Sequence, residues 1–114
     1  MRIIVCMRNI SVEEFKEAIA SHKEDATYDF INVCTPEEYA EKHIEGVRSV
    51  PLDTVPSVIR SFSGKEHIYV HCRGGGRSRM AIQLLEEAGV EAELINVDGG
   101  IMAWDQAGFD TKKL

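Results

Sequence analysis

The run His67-Ile68-Tyr69-Val70-His71-Cys72-Arg73-Gly74-Gly75-Gly76-Arg77-Ser78-Arg79 constrains the fold more than any other part of the chain. Ile68 and Val70 alternate with more polar neighbours, the period of a strand, whereas Met80, Ala81, Leu84, Leu85 and Ala88 recur at helical spacing until Gly89. The pattern predicts a strand that passes through a glycine-rich loop into a helix, with Cys72 at the strand end facing the helix N-terminus. Three successive glycines can take backbone angles that other residues avoid, so their N–H groups can converge on one point as an anion cradle. Arg73 and Arg77 bring positive charge to the same loop. Helix end, inward amides and guanidinium groups all favour thiolate over thiol, which makes Cys72 a candidate nucleophile. A helix N-terminus contributes at most about 2 kcal/mol to an anion, or about one and a half pKa units, so any larger shift has to come from the amides and arginines. The competing reading is an inert, buried cysteine beside a tight turn, but three glycines flanked by arginines are a poor way to bury a hydrophobe.

The rest of the chain decides what surrounds that loop. With 114 residues and 44% hydrophobic content, a single domain over residues 1–114 is expected, built around its own core. A net charge of −6 argues against a nucleic-acid partner or an anionic membrane surface. Arg73, Arg77 and Arg79 are then a local basic exception that suits a small anion. Residues 1–7 are too short a run, and too soon interrupted by Arg8, for a signal or membrane segment, so a cytoplasmic protein is expected. Three cysteines without paired spacing point to reduced thiols, and no Cys/His cluster has metal-ligand spacing, so no metal is expected.

Taken in order, strands and helices alternate. Residues 2–5 read as a first strand. Ser11-Val12-Glu13-Glu14 is a capping box, with Ile10 and Phe15 placed as a hydrophobic staple, and it opens a helix whose apolar face is Phe15, Ala18 and Ile19. Phe30, Ile31 and Val33 mark a second strand ending at Cys34. Thr35-Pro36-Glu37-Glu38 then opens a helix with a cap, a first-turn proline and a returning glutamate. Residues 46–51 read as a brief strand, and Val55, Val58, Ile59 and Phe62 as a helix that tolerates Pro56 in its first turn. After the cysteine unit come a last strand at Leu94, Ile95 and Val97, a turn at Asp98-Gly99-Gly100, and a closing helix over residues 101–107. Strands joined by helical crossovers pair in parallel, so the expected fold is α/β: three layers, with a central parallel sheet flanked by helices. Ligands of such sheets bind beyond the carboxyl ends of the strands, where the loops at 32–35, 72–77 and 98–100 should meet.

Five blocks now stand in a telling order: Asn32-Val33-Cys34-Thr35-Pro36-Glu37-Glu38-Tyr39, His43-Ile44-Glu45-Gly46, Val50-Pro51-Leu52, residues 69–78, and Asp98-Gly99-Gly100-Ile101-Met102-Ala103-Trp104. Together they closely resemble the single-domain rhodanese (thiosulfate sulfurtransferase) family over nearly the whole chain. The resemblance implies a parallel sheet of about five strands with the active cysteine in the loop after the fourth. It also implies a sulfurtransferase in which Cys72 takes a sulfane sulfur from thiosulfate or a persulfide donor. Cys72 would hold that sulfur as a covalent persulfide, with no other cofactor, and pass it to a thiol or cyanide. The chemistry of the residues agrees, because a persulfide cycle needs an ionised thiol, N–H groups around the terminal sulfur, and cations for the leaving sulfite. On this reading Cys72 is catalytic, and Arg73, Gly74, Gly75, Gly76, Arg77 and Ser78 bind substrate. Arg73 is read as the outward, substrate-facing arginine, and Arg77 as closing the loop onto backbone or a neighbouring acid.

One departure stands out: Asn32-Val33-Cys34 occupies the place where rhodanese-like chains often carry aspartate, an apolar residue and arginine, so a usual acid–base pair is missing. Cys34 is read as a small packed residue, with a second thiol that resolves an oxidised Cys72 as the open alternative. Cys6 is assigned a structural role. His71 and Trp104 are expected in the core and His43 at the junction of helix and loop. His22 and His67 are expected at the surface, and Asp98-Gly99-Gly100 as a turn with a supporting hydrogen bond to the site. Two further function classes stay open. A cysteine phosphatase or arsenate reductase also uses cysteine and arginine around an anion, yet the loop from Cys72 to Arg77 is one residue shorter than the tyrosine-phosphatase pattern. A persulfide carrier or non-catalytic partner-binding domain, with a protein sulfur donor or acceptor, would need the same site.

Overall fold

A computed structural model describes residues 7–114, so the strand read at residues 2–5 and the role assigned to Cys6 lie outside the described residues. The elements are β1 (Arg8–Ile10), α1 (Val12–His22), β2 (Tyr28–Asn32), α2 (Pro36–Glu41), β3 (Arg48–Ser49), a 3₁₀ segment (Leu52–Phe62), β4 (His67–His71), α3 (Gly76–Glu87), β5 (Glu93–Val97) and α4 (Gly100–Gln106). All five strands run parallel in one sheet of order β1-β5-β4-β2-β3. The expected three-layer α/β architecture is therefore the observed one.

Local chemistry accounts for the boundaries. The Glu14 N–H donates to Ser11 Oγ (3.1 Å) at the start of α1. At α2 both halves of the capping box form, Glu38 N to Thr35 Oγ1 at 3.2 Å and Thr35 N to Glu38 Oε1 at 2.9 Å. The expected helix around Pro56 is instead a 3₁₀ segment that breaks at Val58 (φ −120°, ψ 23°). Proline lacks the N–H that a continuous α-helix would use, and short 3₁₀ turns need fewer such bonds.

Two cores form, one on each face of the sheet. On one face Ile31, Val33, Ile68 and Val70 meet Val55 and Phe62 of the 3₁₀ segment and Ala81, Ile82 and Leu85 of α3. On the other, Phe30, Tyr69, Ile95 and Val97 meet Phe15 and Ile19 of α1 and Ile101 and Trp104 of α4. Phe15, Ile31, Ile68, Leu85 and Ile95 are fully buried, each contributing about 1.5–3 kcal/mol over an exposed position. The α3 seam runs through Ser78, Ala81, Ile82 and Leu85. Met80, one of the residues recurring at helical spacing, lies opposite the seam and is 57% exposed. Because β4 sits between β2 and β5, the loops leaving these three strands lie side by side. Among the described residues, no helix is long and apolar enough to cross a membrane.

Candidate active site around Cys72

Cys72 follows the last residue of β4 and is 1% exposed. Its Sγ accepts from the N–H of Gly75 (3.0 Å) and of Ser78 (3.4 Å), while Ser78 Oγ stands 3.6 Å away. Burial opposes ionisation. The Ser78 hydroxyl and the N–H groups of Ser78, Gly75 and Gly74 outweigh it, and the thiol pKa falls below its ordinary value. Only Gly75 uses a backbone angle that favours glycine (φ +120°); Gly74 and Gly76 do not, contrary to the expectation for the run. A Cβ would meet nothing within 4 Å at Gly76, and only Met102 Sδ at 3.9 Å at Gly74. What these two glycines contribute is an open approach.

The arginines divide. Arg77 turns away from the sulfur and forks onto Glu38, with Nη1 to Oε1 at 2.6 Å and Nη2 to Oε2 at 3.1 Å. Of the two partners considered for it, backbone or acid, the acid is the one found. The Arg77 bonds hold the Glu38 carboxyl at about 2, well below its ordinary value, with help from the Thr35 N–H. One carboxylate thus caps α2 and anchors the cysteine loop. At the place of the missing acid, Asn32 Oδ1 accepts from the Cys34 N–H at 2.8 Å. Arg73 is the outward arginine, its side chain 64% exposed. It lines a cleft of about 370 Å³ of mixed charge, where Lys42 and Lys113 stand with Glu38, Glu41 and Asp105, and its Nη1 lies 4.0 Å from Glu38 Oε2.

Cys34 is buried among the core residues, and burial pushes its thiol up to about 11, so it stays protonated at neutral pH. That favours the packing role. The turn after β5 supports the loop more directly than one hydrogen bond: Ile101 N donates to Cys72 O (2.9 Å) and Met102 N to Arg73 O (3.1 Å). Gly100, at φ +53°, lets the start of α4 come this close. Sequence reasoning passed over Glu38 as a loop anchor and passed over Asn96, whose Oδ1 lies 2.5 Å from Ser78 Oγ. The signal for Asn96 was a polar residue inside the otherwise apolar strand Leu94-Ile95-Asn96-Val97.

His71 is fully buried on the other face of the sheet, its ring centroid 5.6 Å from that of Phe15 and its Nδ1 3.1 Å from Cys72 O. Burial drives its pKa from 6.5 to about 4, so the neutral ring donates through Nδ1. It is a core residue, not a base for Cys72. His43 is buried and ties α2 to the C-terminal segment through its backbone pairing with Lys112. His22 and His67 are half-buried rather than free at the surface, stacked on Tyr28 at 4.0 and 4.4 Å. Trp104 packs in the core and donates to Asp110 O at 2.8 Å.

Depressed values at His71 and Glu38 shape the acid limb of stability, and the Asp25 carboxyl, lowered by its hydrogen bonds from Thr27, adds to its lowest part. Below pH 6.5 the unfolded His71 binds a proton that the folded ring refuses, so stability falls as pH drops from about 6.5 towards 4. For Glu38 the stabilisation is complete above 4.5 and is lost as pH falls from there towards about 2. Urea unfolding across this range is expected to show both slopes. His71→Leu should flatten the upper window, since Cys72 O keeps its bond from Ile101, and Glu38→Gln the lower one. Unchanged slopes in the variants would contradict the assignment.

A family model described as a rhodanese-like domain matches residues 11–107. The putative sulfurtransferase YtwF of Bacillus subtilis is 32% identical over 100 residues, covering 87% of this chain and 91% of its own. The putative sulfur carrier protein YrkF of the same organism is 34% identical over 95 residues, covering 83% of this chain and 49% of its own. The chain spans about half the length of several curated relatives, including one from Synechocystis and one from Arabidopsis thaliana. Among solved structures, a rhodanese-like domain protein from Staphylococcus aureus superposes with a TM-score of 0.78 at 31% identity, covering 95% of this chain and 99% of its own.

Proposed function

The chain belongs to the rhodanese-like domain family, and we propose that it is a sulfurtransferase, moving a sulfane sulfur from thiosulfate or a persulfide donor to a thiol or cyanide through a persulfide on Cys72. The observation that carries this reading is the convergence of the Gly75 and Ser78 N–H groups on one sulfur at a strand's carboxyl end. In the first step the Cys72 thiolate attacks the outer sulfur of thiosulfate. The S–S bond to the sulfonate breaks, and sulfite leaves with the electron pair. The loop N–H groups that held the thiolate then stand beside the new terminal sulfur anion. In the second step an acceptor thiolate or cyanide attacks that outer sulfur, and Cys72 departs as the thiolate. Both steps balance without an added oxidant or reductant. Arg73, exposed at the cleft, meets the anionic donor or a protein that carries one.

The names of two relatives, a putative sulfurtransferase and a putative sulfur carrier, support this class of chemistry. A carrier would use the same persulfide with slow thiosulfate turnover and ready loading from a protein persulfide. A phosphatase would need its loop arginine free to fork onto an oxyanion, and here Arg77 is engaged by Glu38. The test is thiocyanate formation from thiosulfate and cyanide. Catalytic turnover lost in Cys72→Ser supports the enzyme. Stoichiometric loading without turnover supports the carrier, and release of phosphate from an aryl phosphate would overturn both.

A further inference from the structure

We propose that Asn96 is a positioning residue that governs where the single proton of the Ser78 hydroxyl points, and thereby how strongly Cys72 holds negative charge. The proposal deepens the sulfurtransferase reading and rests on it only for its meaning in turnover. Ser78 and Asn96 are both fully buried, one in the first turn of α3 and the other in β5. Ser78 Oγ carries one hydrogen and has three acceptors around it: Asn96 Oδ1 at 2.5 Å, Gly75 O at 2.9 Å and Cys72 Sγ at 3.6 Å. Asn96 cannot turn its oxygen away, because its Nδ2 donates to Asn9 Oδ1 (2.9 Å) and Asp98 Oδ1 (3.2 Å).

The consequence follows from counting donors. While Cys72 is a thiol, its S–H donates to Ser78 Oγ and the hydroxyl donates onward to Asn96, so every group in the chain is satisfied. Once the sulfur is an anion it can only accept, and the Ser78 hydrogen gains most by reversing towards it, adding a third donor to the N–H groups of Gly75 and Ser78. Asn96 opposes that reversal. It stabilises the thiol against the anion and keeps the sulfur from being held too tightly, which matters because nucleophilicity falls as thiol pKa falls.

The experiment is a thiol-alkylation pH profile of Cys72 in a four-member cycle: wild type, Asn96→Leu, Ser78→Ala and the double variant. Asn96→Leu keeps the branched shape with bulkier methyl groups, and it leaves Asn9 and Asp98, both exposed, to water. Freed of Asn96, the Ser78 hydrogen turns to the sulfur, and the apparent pKa is expected to fall by about half a unit, a roughly threefold rise in thiolate fraction below the pKa. Ser78→Ala should raise the pKa, and the double variant should match Ser78→Ala. A merely structural Asn96 would not give opposite signs, nor an effect that vanishes without Ser78. An unchanged or raised pKa in Asn96→Leu, or an equal fall in the Ser78→Ala background, would overturn the proposal. Asn96→Ala removes the same acceptor without adding bulk, and it reads the same shift if the leucine variant does not fold. Alkylation needs no sulfur transfer. A cycle that behaves as expected in a protein that forms no persulfide would therefore sink the proposed function and leave this inference standing.

Discussion

Replacing Gly100 by alanine is expected to destabilise the protein by about 2 to 5 kcal/mol and to remove most sulfur transfer, although residue 100 is not in the cysteine loop. A Cβ there would lie 2.2 Å from Cys72 O and 2.7 Å from Arg73 O, both backbone atoms. The same carbonyls are tied to α4 by the Ile101 and Met102 N–H groups, so neither side can give way without breaking those bonds. The left-handed angle adds about 1–2 kcal/mol for any L side chain, and the overlap about 1–3 kcal/mol. Relief by moving the loop would carry the Gly75 and Ser78 N–H groups off the sulfur, returning the thiol towards its ordinary pKa. Thermal unfolding should show a fall of roughly 10 °C or more, and alkylation should show the lost activation. Gly74→Ala, whose Cβ has room, should stay close to wild type in stability. Wild-type behaviour in Gly100→Ala would contradict the packing argument.

Inserting one glycine between Gly75 and Gly76 is expected to slow sulfur transfer tenfold to a hundredfold in a folded protein. The insertion separates the Gly75 N–H from the first turn of α3, which carries the Ser78 N–H, so the two donors no longer converge at 3.0 and 3.4 Å. A hydrogen bond to a charged group is worth about 1.5–3 kcal/mol, and about 1.4 kcal/mol corresponds to tenfold in rate. Folding should survive, since a Cβ at either glycine would meet nothing within 4 Å and a loop accepts one residue at small entropic cost. Steady-state thiocyanate formation, with circular dichroism as the folding control, checks this. Undiminished transfer in the folded variant would show that ring size does not set the chemistry.

What the chain announced in advance was whatever depends on neighbours in sequence. The alternation of strand and helix, the capping box of Thr35 and Glu38, and the cysteine at a strand end were legible because period, cap and turn are local signals. The errors share the opposite origin. Glu38 was explained completely by its cap, which hid its second task of holding Arg77 across 39 positions of chain. Helical spacing alone does not separate Met80 from the buried seam of α3, because several rows of that helix are partly apolar, and only the position of the sheet selects one. Gly100 looked like a turn glycine. That it faces the backbone of the cysteine loop depends on β4 and β5 being neighbours, which pattern alone does not state. Asn96 was passed over because its partners Asn9, Ser78 and Asp98 come from three separate segments.

The central claim is that the Cys72 sulfur, held by the Gly75 and Ser78 N–H groups, is where a transferred sulfur atom resides. Intact-mass analysis after incubation with thiosulfate, followed by peptide mapping, tests it most directly. The expected result is a gain of one sulfur atom located on Cys72, removed by cyanide as thiocyanate, with Cys72→Ser remaining unmodified. A wild-type protein that gains no sulfur, or a Cys72→Ser variant that gains it equally, would contradict the account.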